Sequence, residues 1–188
     1  MTVLRAYISL VDRLNYGVGR VIMYGIFAMM AVLLWSTISK FSDQPSLWTL
    51  EVAQFAMIAY FFLGGPYAIQ MGSHVRMDLF YENWSVRKKA GVDALMVFCL
   101  MFYLGVLLWG GLSSTAYSLG YWGSEPLSFF TGLITGSEEV GTLERSRTIW
   151  RPYLWPIKAI MCLGVLLMLL QALSELCKDI LRLKGETV

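Results

Sequence analysis

The charged positions of this chain come in clusters, and between the clusters lie four long stretches almost free of charge. Val21 to Ser39, VIMYGIFAMMAVLLWSTIS, is the first, and Val52 to Ser73 the second. A third begins near Asp93 and stays uncharged through Ser124, and a fourth runs from about Leu154 to Leu173 with only Lys158 near its start. A helix rises ~1.5 Å per residue and the hydrocarbon core is ~30 Å thick, so about 20 residues are needed to cross. The pattern therefore predicts spans near 21–39, 52–73, 93–120 and 154–173, all within one membrane domain covering 1–188. The expected class is an all-α integral membrane protein with four transmembrane helices.

The segment ahead of the first span behaves differently. In TVLRAYISLVDRLNYGVGR, residues 2–20, the apolar positions Val3, Tyr7, Leu10, Leu14 and Val18 recur at helical spacing. Arg5, Ser9, Asp12, Arg13 and Arg20 fall on the opposite face. A helix so divided is too polar to cross and is expected to lie in the membrane interface.

Two spans carry rows of small residues that let another helix approach closely: Gly64, Ala68 and Gly72 in the second, Gly110, Ser114 and Ser118 in the third. Pro66 lies within the second and should free a carbonyl for a neighbouring helix or water. Residues 120–151 form the longest connection, and within it PLSFFTGLI is apolar enough to touch the membrane surface but too short to cross.

Composition changes the picture little. Of 188 residues, 57% are hydrophobic and 15% charged, below the ~25% usual for soluble domains. A net charge of +2 with no basic cluster among aromatics gives no reason to expect nucleic acid. Three cysteines, Cys99, Cys162 and Cys177, have no short spacing that would suggest a disulfide framework or zinc site. His74, the single histidine, excludes a bis-histidine haem held by this chain. No phosphate loop, nucleophile elbow or zinc-protease motif occurs, so neither catalytic residues nor a cofactor or metal is expected. Charges at mid-membrane depth, which a coupling-ion site or proton relay would need, are missing from all four stretches.

Lys and Arg near the spans set the orientation. The N-terminal segment, the loop after span two and the tail hold ten, including Arg5, Arg13, Arg20, Arg87, Lys88 and Lys89, against Lys40, Arg145, Arg147, Arg151 and Lys158 on the other side. Both termini should be cytoplasmic and the 120–151 connection outside.

The stretch LWTLEVAQFAMIAYFFLGGPYAIQMGSHVRMDLF resembles the signature of the small membrane (DctQ-type) subunit of tripartite ATP-independent periplasmic (TRAP) transporters. Glu51, Gly64, Ala68, Gly72 and the exit sequence His74-Val75-Arg76-x-Asp78 carry the likeness, joined by Asp93, Trp150, Pro152, Pro156, Lys158 and Gln171. The 120–151 connection is longer than the family's pattern leads one to expect. The resemblance implies an inner-membrane subunit that scaffolds a large multi-pass permease subunit, with a periplasmic solute-binding protein delivering the solute and an ion gradient driving uptake. Membrane lipids are the remaining expected partner. The competing readings are a free-standing tetraspan carrier, which would need a mid-membrane carboxylate, and a membrane anchor of a redox complex, which would need paired histidines to bind haem.

The candidate interface or packing residues are Glu51, Gly64, Ala68, Gly72, His74, Arg76, Asp78, Gly110, Ser114, Trp150, Arg151 and Lys158. His74, Arg76 and Asp78 read either as a contact to the large subunit or lipid, or as a helix-end cap and topology signal. Trp150 belongs to a Trp150–Trp155 cluster that reads as an interfacial belt or a docking site. Glu51 and Lys158 begin spans on the same side, so Glu51 is expected to pair with Lys158 or with its rival Arg151. Cysteine-accessibility labelling in a cysteine-free background checks the topology: Ser137→Cys should label from outside intact spheroplasts. Labelling of Ser85→Cys from outside would reverse the orientation.

Overall fold

The structure, a computed structural model, describes residues 2–42, 44–72 and 86–183. These contain six helices: α1 (Thr2–Ile22), α2 (Gly25–Phe41), α3 (Thr49–Gln70), α4 (Val86–Ser118), α5 (Pro126–Thr135) and α6 (Trp155–Leu183). Four segments are long and apolar enough to cross a membrane: Leu4–Phe41, Thr49–Gln70, Leu95–Ser118 and Trp155–Leu181.

The spanning helices stand in a row rather than in a closed bundle. α6 packs on α4 to one side and α3 to the other, and α3 in turn packs on α2. The order across the row is α4–α6–α3–α2. α6 is its hub, with 39% of its most apolar window buried, against 11% for α3 and for α4. At the other extreme, α2 buries no residue at all. The core lies between α4 and α6, where Leu104, Val165 and Ala172 pack with Leu100, Leu108 and Met168 around them.

The helices alternate in direction, which gives the row two ends. One, the terminal end, holds α1 and the last turns of α6. The other, the cap end, holds α5 and the residues leading into α6.

α1 and α2 meet at a tight joint, not a loop. Met23 N still donates to Gly19 O, but Tyr24 N reaches back only three residues to Val21 O, and Phe27 N likewise to Tyr24 O. Val21, the expected first residue of the span, thus lies in the closing turn of α1, and α2 begins at Gly25. α1 first crosses α6, through Tyr7, Asp12 and Asn15, and then follows α3, with Gly19 against Tyr67.

Its orientation about its own axis differs from the expectation. Ile8, Val11, Asn15 and Gly19 face the row, while Leu10 is 67% exposed and Leu14 47%. Asp12, expected in water, turns inward. Both apolar stripes are real. The helix gives one to protein and leaves the other open, because α6 supplies polar partners for Asp12 and Asn15 that a lipid surface could not.

The small-residue rows also shift. At the closest approach of α3 and α6, a Cβ built on Gly164 would lie 2.6 Å from the Phe62 carbonyl oxygen. That carbonyl is the one Pro66 leaves without its i→i−4 partner, since proline has no N–H. Gly65 supports the same contact, facing Met168. Gly64 makes only an ordinary contact with Ile22, at 3.8 Å from its would-be Cβ, and Ala68 is half-buried. Gly72 belongs to no packing row: it lies past the end of α3 with φ 63°, a left-handed conformation that stops the helix. On α4 the packed face runs through Gly111, Thr115 and Ser118 against α6, whereas Gly110 meets open space. One residue along a helix is ~100°, enough to turn a row away from its partner.

Gly164→Ala should therefore destabilise the protein by ~1–3 kcal/mol, the usual cost of overpacking against atoms that cannot move aside. Gly110→Ala should be neutral or slightly stabilising. Thermal unfolding in detergent followed by tryptophan fluorescence checks both, and equal behaviour of the two variants would contradict the crossing.

Candidate functional site

Two polar clusters mark the two ends of the row. At the terminal end Asp12 is the centre. Its Oδ2 lies 2.7 Å from Lys178 Nζ, and its Oδ1 accepts from Gln171 Nε2 (2.9 Å) and Ser174 Oγ (3.2 Å). Gln171 in turn accepts from Asn15 Nδ2 at 2.7 Å, while Lys178 also pairs with Glu175 at 2.7 Å. Gln70 of α3 donates to the Asp12 carbonyl, and the Tyr7 hydroxyl to that of Leu170. Three helices are joined in this way. Helical spacing on α6 explains the convergence, because Gln171, Ser174, Glu175 and Lys178 sit at i, i+3, i+4 and i+7 on one face.

The cap end is built around Glu144. Its Oε2 accepts from Lys158 Nζ of α6 at 2.8 Å and from Ser118 Oγ of α4 at 2.7 Å, and Lys158 also donates to the Ser114 carbonyl. Backbone bonds fix the carboxylate in place: Glu144 N donates to Ser118 O, Leu154 N to Glu144 O, and Gly141 N to Leu119 O. Gly120, with φ 89°, makes this possible, since a Cβ there would meet Thr142 N at 2.6 Å. The hydrogen bond from Lys158, then that from Ser118, holds the Glu144 carboxyl below its ordinary value of 4.5, against the opposing effect of burial.

From Glu144 the chain makes a short hairpin into α6. Arg145 and Tyr153 form an antiparallel bridge, and Ser146 N donates to Pro152 O at 2.9 Å. Ser146 also donates its hydroxyl to Glu51 Oε1, at 3.1 Å. The expected ion pair of Glu51 is thus absent. Lys158 belongs to Glu144, and Arg151 is exposed at the hairpin tip. Glu51 is 4% exposed in the first turn of α3, where the helix dipole favours an anion, and its Oε2 is buried without a protein partner.

Residues 29–182 match the DctQ component of tripartite ATP-independent periplasmic transporters. The chain belongs to the DctQ family. No curated protein and no solved structure matches it. As a DctQ component it is a transporter subunit and not an enzyme, a multi-pass protein of the inner membrane.

The candidate residues of this DctQ protein are scattered unevenly over the fold. Lys158 and Ser114 meet at the cap end, and Glu51 lies one hairpin strand away from them. Trp150 and Arg151 occupy the exposed tip, Gly64 and Ala68 line α3, and Gly110 looks outward from α4. His74, Arg76 and Asp78 fall outside the described residues. Glu144, Asp12, Asn15 and Gln171 are the tying residues that the interface candidates omit. Gln171 had a signal, as a polar residue at the edge of an apolar run. Glu144 had none beyond its charge.

The Glu144 tie gives a pH dependence with a definite sign. A carboxyl held below its unfolded value contributes stability above that value and loses it as pH falls through the folded one. Thermal stability should decline on acidification below ~4.5, and Glu144→Gln should be less stable at pH 7 and flatter over that acid range. Glu51→Gln should be tolerated better than Glu144→Gln, because a glutamine oxygen still accepts from Ser146. The reverse order of melting temperatures would contradict this assignment.

Proposed function

We propose that this DctQ protein is the fixed frame of a TRAP transporter, holding the large permease subunit while that subunit carries the solute and the coupling ions. The observation that supports the reading most is where the polar groups lie. Glu144 with Lys158 ties one end and Asp12 with Lys178 the other, and between them the described spans carry no charge. A solute or ion path needs polar groups at mid-membrane depth. A frame needs rigid ends and apolar sides, and the open α4–α6–α3–α2 row leaves long apolar flanks, beyond the part that α1 covers, for a partner or lipid.

In this reading the terminal end is cytoplasmic and α1 lies along that surface, its outward Leu10 and Leu14 in the interface. The cap end faces the periplasm, where a solute-binding protein delivers its cargo. Uptake is driven by an ion gradient across the large subunit.

Mild-detergent extraction of the tagged chain from its own host, followed by mass spectrometry, tests the proposal. A multi-pass permease several times larger should co-purify, and the chain alone in proteoliposomes should transport nothing. Gradient-driven solute uptake by the isolated chain would overturn it in favour of a free-standing carrier.

A further inference from the structure

The hairpin that leads into α6 carries more than its role in positioning Glu144 requires. Arg145 is engaged, its guanidinium 4.5 Å above the Tyr153 ring. Arg147 and Arg151 at the tip are exposed, and neither pairs with a carboxylate among the described residues. Glu144 is held by Lys158 and Ser118, with Arg147 acting on it only at longer range, and Glu51 accepts from Ser146 through one carboxylate oxygen. Between the two arginines stand Ile149, 81% exposed, and Trp150, 45% exposed. Arg151 is the one non-glycine described residue at positive φ, 49°, held there by the closure of Ser146 onto Pro152.

We propose that this tip, Arg147 to Arg151, is a binding element for the phosphate headgroup of an anionic phospholipid, with Ile149 and Trp150 inserted beside it. Two things select a lipid as the occupant. The first is charge: two exposed guanidinium groups outside any close ion pair among the described residues match a phosphodiester, which arginine binds through paired N–H donors. The second is depth. Arg151 precedes Trp155, the start of the apolar window of α6, by four residues, a reach of at most ~14 Å. The tip therefore stands within or beside the headgroup layer, where an exposed isoleucine and an indole find apolar surroundings.

In the proposed orientation these arginines also sit on the side that the positive-inside bias disfavours, so their presence there needs a local cause. The inference rests on the membrane placement and the proposed orientation, and stands apart from the frame reading.

Spin-labelled phosphatidylglycerol and phosphatidylcholine, added to the full chain in phosphatidylcholine vesicles, test it by electron paramagnetic resonance. The wild type should immobilise phosphatidylglycerol in preference, and added salt should reduce the preference. Each of Arg147→Gln and Arg151→Gln should lower it roughly fivefold, the effect of one juxtamembrane cation. Arg145→Gln should lower it far less. As a second readout, lipid brominated near the headgroup should quench the wild type more than Trp150→Phe.

An unchanged preference in the double arginine variant, or equal binding of the two lipids, would overturn the proposal. If that variant instead kept its lipid preference but needed more binding protein for uptake by the assembled transporter, the tip would belong to the soluble partner and the proposal would fail.

Discussion

The two central helices, α3 and α6, meet closely at one carbonyl. Pro66 cannot offer an N–H to Phe62 O, so α3 loses one of its helical bonds in the apolar stretch of the span. Gly164 brings the backbone of α6 against that oxygen, closer than any side chain would permit. The polar defect and the missing side chain answer each other, and their meeting sets the separation of the two central helices. α4 then packs on the far side of α6 through Gly111 and Thr115, and α2 on the far side of α3.

Between lipid tails and leucine side chains there is no hydrophobic drive to bring helices together, so close packing and polar ties must do it. The ties lie at the ends, where charges are partly hydrated and cheap to hold. Lys158 and Glu144 are about a fifth and a third exposed, Lys178 and Asp12 about an eighth and a quarter. Pairs this exposed add modest stability singly. Their value here is positional: each links helices far apart in sequence, and Glu144 also anchors the long connection that would otherwise cross the cap end loosely.

Much of this was legible in the sequence. The four spans, the polar character of α1 and the freed carbonyl at Pro66 all follow from residue type and spacing alone. What spacing could not supply was rotation. Gly64 and Gly65 fit a small-residue row equally well, as do Gly110 and Gly111, and only the neighbouring helix decides which faces inward. The same uncertainty turned α1, whose buried face runs through Asn15 and Asp12 because Gln171, Ser174 and Lys178 await them on α6. The partner of Lys158 was hidden for another reason. It lies on a long connection whose hairpin register, set by Arg145 opposite Tyr153, brings Glu144 to the lysine and leaves Ser146 for Glu51.

The proposed frame role requires the chain to keep its shape. Spin labels at Leu34 on α2 and Phe102 on α4, both exposed and at opposite edges of the row, report that shape directly. Double electron–electron resonance on the assembled transporter, with and without solute-loaded binding protein, should give one narrow distance distribution that does not move. A second population, or a shift on adding the loaded binding protein, would contradict a fixed frame.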